Sequence, residues 1–189
     1  MQIRDKIKSD LEQNLSPKCY CHTLSVMYTA AALAMRYHED IDKAMLAGLL
    51  HDCVKERSLN DMLELCTMQN VSISNLERKN PHLLHSKAGA AFANTKYKIE
   101  DFHILEAIRC HTTGKPDMNT LDKILFLADY IEPNRNEHPH LEEVRRLAFV
   151  DIDKGLLSAL TYSLNYLKDK QAEIDKMTIQ AYQYYKNKE

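Results

Sequence analysis

Glycine and proline are scarce in this chain, four and five in 189 residues, and tryptophan is missing. So few breakers over this length exclude a fold of many short strands joined by tight turns and favour long helices. No continuous apolar run is long enough to cross a bilayer, and the charged start Met1-Gln2-Ile3-Arg4-Asp5 lacks a signal-peptide pattern. The cysteines, Cys19, Cys21, Cys53, Cys66 and Cys110, are odd in number and not spaced as in a zinc finger. A disulfide framework or a thiolate metal site is therefore not expected. A formal net charge of −2 excludes the strongly basic surface of a nucleic-acid-coating protein. These absences predict a cytoplasmic protein with reduced thiols and no membrane or nucleic-acid partner.

What is present is an ordinary soluble composition, 44% hydrophobic and 28% charged, in a chain long enough for one domain with a real core. Apolar periodicity and capping residues predict helices over about 2–14, 17–37, 41–52 and 59–69. Residues 70–81 read as a loop or short helical turn. Ser86 is expected to cap a small-residue helix over Lys87–Ala93. Further helices are predicted from Asp101 to about His111, over Leu121–Glu132, about 139–148, 151–169 and 176–187. No repeat, linker or alternating strand pattern interrupts them, so the chain reads as a single all-α domain over 1–189.

Polar groups fall where such helices turn inward. His51-Asp52 ends an apolar run and is followed by Lys55 and Arg57, cations suited to an anionic ligand. His22 and His111 each sit on an apolar stripe. Asp129 lies four residues after Leu125, on the face shared with Leu121, Ala128 and Ile131. Burying an unpaired carboxylate costs several kcal/mol, about the amount a nearby cation relieves. His22, His51, Asp52, His85, His111 and Asp129 in one small core would be destabilising without an ion among them. An N/O donor set without thiolates suits iron, manganese or zinc. His82 competes with His85, which is preferred because it stands at the mouth of the small-residue helix. His38, His103, His138 and His140 occupy polar or terminal settings and are expected on the surface.

The order His22, His51-Asp52, Asp129 resembles that of the HD-domain phosphohydrolases. The segments His51-Asp52-Cys53-Val54-Lys55-Glu56, Ala107–Gly114 and Asp122–Arg135 narrow the likeness to the bacterial YqeK family of symmetrical diadenosine tetraphosphatases. The resemblance spans roughly residues 18 to 185. It implies an all-helical HD domain, a homodimer, and an iron centre of one or two ions, with manganese or another divalent metal as alternatives. It also implies cleavage of diadenosine tetraphosphate into two ADP. One ion would be held by His22, His51, Asp52 and Asp129. His85 and His111 would serve a second ion bridged by Asp52, or the substrate phosphates. Asp52, Lys55 and His111 are the expected catalytic residues. Substrate contacts are implied for His22, Lys55, Glu56, Arg57, Ser58, His85, His111, Asp129 and Arg135, and for Ile174, Asp175, Lys176, Met177, Thr178 and Ile179. In that last segment the family usually has a His-Pro step before the threonine, which this chain replaces with Lys176-Met177. The competing readings are another HD hydrolase acting on nucleoside monophosphates or cyclic nucleotides, a non-catalytic nucleotide sensor, and a di-iron oxygenase. The cations fit phosphate better than the last.

Overall fold

Polar residues mark most of the helix starts. Ser16 accepts a hydrogen bond from the Cys19 N–H and is followed by Pro17 at the first helical position. Asp40, Ser58, Asp101 and Asp151 cap in the same way, and Asn119 forms a reciprocal box with Asp122. The computed structural model describes residues 3–135 and 140–188, and within them these signals delimit ten α-helices and no strand. They are α1 (Ile3–Asn14), α2 (Pro17–Tyr37), α3 (Ile41–Leu50), α4 (Leu59–Met68), α5 (Pro81–Tyr97), α6 (Phe102–Cys110), α7 (Thr120–Ile131), α8 (Leu141–Val150), α9 (Ile152–Asp169) and α10 (Lys176–Lys186). The fold class is all-α, as the sequence leads one to expect. His138, residue 139 at the expected start of α8, and residue 2 at the expected start of α1 lie outside the described residues.

Helix α5 departs most from expectation, running Pro81–Tyr97 where the small-residue helix is expected over Lys87–Ala93. Helix α5 begins at Pro81, where Asn80 accepts from the His82 N–H, well before Ser86. Asn-Pro is a complete start signal, with a capping side chain and a pre-set φ. Ser86 is thus an interior residue whose hydroxyl donates to the Leu83 carbonyl. The consequence is functional: His85 becomes a buried side chain on a long helix, with its direction fixed by packing.

Helix α2 packs along α3 and α7, and α6 sits against α3, α5 and α7. Val26, Met27, Leu33, Leu49, Leu50, Ile108, Ile124 and Leu125 fill the space between them without solvent contact. The α2–α3 approach depends on Gly48, where a Cβ would lie 2.8 Å from the Met27 Cα. That neighbour is backbone and cannot swing aside, so Gly48→Ala must push the two helices apart. The expected cost is about 1–3 kcal/mol, or a melting temperature lower by about 2–10 °C, measurable by calorimetry; an unchanged transition would show that the helices slide apart freely.

Two tyrosines of α10 are engaged within the chain. Tyr185 is buried, and its hydroxyl accepts from the Met118 N–H at 2.8 Å. Tyr184 donates to Asp117 at 2.6 Å. Both therefore tie α10 to the loop between α6 and α7, so Tyr185 is unavailable to a partner chain or a nucleotide base.

Candidate metal centre

Five helices deliver polar groups to one point. His22 comes from the second turn of α2, His51 and Asp52 from the end of α3, and His85 from the second turn of α5. His111 stands at the end of α6 and Asp129 in the last turn of α7. Asp52 is the centre. Its Oδ2 lies 3.2 Å from His51 Nε2 and 3.5 Å from His22 Nε2. Its Oδ1 lies 3.1 Å from His85 Nε2 and 3.8 Å from His111 Nε2. Asp129 Oδ1 closes the first group, 3.0 Å from His22 Nε2 and 3.8 Å from His51 Nε2. One carboxylate thus faces two pairs of imidazoles, one pair per oxygen. His85 occupies this place, while His82 is exposed on the rim.

The imidazoles are oriented from behind. His51 Nδ1 is 2.7 Å from the Gly48 carbonyl and His111 Nδ1 is 2.7 Å from the Ile108 carbonyl. A carbonyl only accepts, so each Nδ1 carries the proton and, in the neutral ring, each Nε2 presents a bare lone pair. His22 Nδ1 is backed by Glu132 Oε1 at 3.1 Å. The Nε2 atoms of His22 and His51 are 3.3 Å apart, and those of His85 and His111 3.1 Å apart. Burial, His85 and His51 push His111 down to about 3, so it is neutral at ordinary pH. Burial opposes the charge on Asp52, yet His51, His22 and His85 outweigh it and hold the carboxyl well below its usual range. Burial likewise opposes a charge on His22, but Asp129, Asp52 and Glu132 push it up to about 9.

Convergent imidazole nitrogens around a carboxylate make a cation site, and one atom points the same way. Asp52 Oδ1 is buried and makes no hydrogen bond, despite the two imidazoles beside it. A buried acceptor without a donor costs about 1–3 kcal/mol, which an ion at that oxygen removes. The ligand atoms of His22, His51 and Asp129 all lie within 4.8 Å of one another, as do those of His51, Asp52 and His111. The donor set fits a divalent metal at these atoms; His51 belongs to both groups and His85 to neither.

Asp129 differs from its expected setting. Its side chain is 18% exposed, and Arg135 holds both its carboxylate and, at 2.8 Å, its main-chain carbonyl. Lys55 donates to Asp52 Oδ2 at 2.7 Å. The other predicted contacts scatter. Successive tight turns after Asp52 send Lys55 back over the cluster and Arg57 away from it, onto the Phe92 ring at 4.4 Å in a separate cavity. Ser58 caps α4. Both carboxylate oxygens of Glu56 hold Ser16, at 2.5 and 2.7 Å, beside the cluster. Asp175 and Thr178 line a large cavity continuous with the site, whereas Ile174, Lys176 and Met177 border another, and Ile179 is exposed.

A family model described as HD domain matches residues 19–134. The chain is 39% identical over 179 residues, covering 95% of each, to a Halalkalibacterium halodurans protein described as a symmetrical bis(5'-nucleosyl)-tetraphosphatase. The chain belongs to the HD-domain family, on its YqeK branch. A Bacillus subtilis protein of the same description is 35% identical over 90% of this chain and 91% of its own. A crystal structure from Clostridium acetobutylicum, described as that of a predicted HD superfamily hydrolase involved in NAD metabolism, superposes with a TM-score of 0.95 at 39% identity over the whole of both chains. The HD motif of this domain is His51-Asp52, set between His22 and Asp129 as described above.

Two residues escaped the sequence reading. Glu132 is buried and backs His22, while its other oxygen accepts from the Asn134 N–H at 2.6 Å. Thr112 Oγ1 lies 3.3 Å from His111 Nε2 and 3.4 Å from His85 Nε2. A glutamate after an apolar helix looks like a C-terminal polar residue, and only the path of α2 past the end of α7 reveals its use.

Proposed function

We propose that this HD-domain protein hydrolyses diadenosine tetraphosphate symmetrically to two ADP, using a divalent metal held by His22, His51, Asp52 and Asp129. His85 and His111, beside the other oxygen of Asp52, would help to hold a second ion or, with one ion bound, the substrate phosphates. The observation that carries this reading is the placement of Asp52, one oxygen toward each pair of imidazoles, beneath the cations Lys55 and Arg135. The descriptions of the relatives supply the substrate. Iron is the resident metal in this reading, as the family resemblance implies, and the protein acts in the cytoplasm as a homodimer. Among the described residues no helix is long and apolar enough to cross a membrane.

A bound divalent metal supplies Lewis acidity and a water acidic enough to ionise near neutral pH. The protein's own residues do the rest. His51 and His111, fixed by carbonyls, and His22, fixed by Glu132, keep the donors aimed inward without reorganisation. Lys55 and Arg135 flank the phosphate chain and offset charge that grows on the phosphoryl oxygens. The central P–O–P bond breaks, the oxygen of water ends on one phosphorus, and the bridging oxygen leaves on the other. Both products are then ADP. The adjoining cavity of about 1200 Å³, lined by Phe126, Tyr130, Tyr162 and Tyr166, has the rings to receive an adenine.

Incubation with diadenosine tetraphosphate and iron or manganese should yield ADP as the sole nucleotide product. AMP plus ATP would mean an asymmetric cut, and turnover of nucleoside monophosphates alone would assign a different HD hydrolase activity; either result rejects the reading.

A further inference from the structure

The cluster opens to solvent on two sides. One opening, about 460 Å³, is lined by His85, His111, Asp129 and Tyr130 and runs on through Phe126, Tyr130 and Ser163 into the aromatic cavity. The other, about 590 Å³, lies across the start of α2 and is lined by Lys18, Cys19, Cys21, His22, Asp52 and Asn134 among others. Lys55 and Arg135 border both. They form a ridge of positive charge with a space on either side, and Asp52 lies beneath it.

A substrate cut at its centre has equal halves on both sides of the breaking bond. If the scissile phosphates sit at the ridge, one nucleoside diphosphate extends into the aromatic cavity and, among the described residues, the second opening lies ready for the other. We infer that this second opening, across α2, is the subsite for the other nucleoside diphosphate, and that Lys18 is its phosphate-facing cation. The inference rests on the function proposed above.

The chemistry of the second opening suits that role. Lys18 is exposed and, among the described residues, its ammonium has no partner. The three acids of the lining have partners of their own: Glu56 holds Ser16, Glu132 holds His22 and the Asn134 N–H, and Asp52 holds Lys55. The first turn of α2 adds the positive end of a helix dipole to those side chains. Apart from the His22 imidazole, the lining of this opening has no ring among the described residues. This half of the substrate is therefore gripped by its phosphates, while the aromatic side holds the other by its base.

The test pairs kinetics with stoichiometry on the metal-loaded protein. Titration calorimetry with ADP should find two sites per chain in the parent and one in Lys18→Glu. The same variant should raise KM for diadenosine tetraphosphate about tenfold with kcat little changed, as expected when a charge-assisted contact common to ground and transition states is lost. Lys98→Glu, an exposed lysine elsewhere, controls for net charge and should match the parent. One ADP per parent chain, or a Lys18→Glu enzyme with parental KM, overturns the subsite while leaving the hydrolase reading intact. A parent protein that does not turn over the dinucleotide overturns both.

Discussion

Asp52→Ala should lose bound metal and turnover together. Elemental analysis should find the metal content of the purified protein reduced to near zero, and hydrolysis should fall by about 10³-fold or more, the scale of several kcal/mol of metal-supplied charge stabilisation. The reason is positional. Asp52 has no exposed surface, and each of its oxygens faces a different pair of imidazoles. Without it, four imidazoles are left facing one another with only Asp129 to neutralise an ion. The variant should still fold, because the helices around it are held by apolar contacts, and circular dichroism checks this. A folded Asp52→Ala protein that keeps its metal and its activity would place the centre elsewhere.

Arg135→Ala should separate substrate handling from metal binding. Arg135 contacts Asp129 only through the carboxylate and the main-chain carbonyl, and its side chain is 38% exposed at the mouth of both openings. Catalytic efficiency toward the dinucleotide should fall about 10²-fold, the usual cost of one charge-stabilising donor. The metal content should match the parent. Arg135→Lys should recover part of the loss, because it keeps the charge without the planar fork that grips two oxygens. Loss of metal in Arg135→Ala would show instead that this guanidinium serves mainly to position Asp129.

These contrasts follow from how charge is distributed around the site. The donors of the proposed metal site are held in place by carbonyls and Glu132, whereas Lys55 and Arg135, the proposed substrate-facing cations, reach in from the rim. Gly48 belongs to the same design. Its missing Cβ lets α2 and α3 touch, and those are the helices that carry His22 and His51.

Much of this was legible in the chain itself. The scarcity of glycine and proline, the apolar periods and the capping residues before α2, α3, α4 and α6 determined an all-helical fold, since each is a local energetic preference that tertiary contacts did not need to reverse. His22, His51, Asp52, His111 and Asp129 stood out because a polar group on an apolar stripe demands a partner. What the tertiary structure decided was direction. Residues only two apart, Lys55 and Arg57, went to opposite sides of a tight turn. Tyr185 joined the core instead of the surface. Glu132 found His22 across 110 positions of sequence. The start of α5 moved back to Pro81 and carried His85 inward. Spacing along a helix states which face a residue shares, but only the packing of helices against one another states what that face meets.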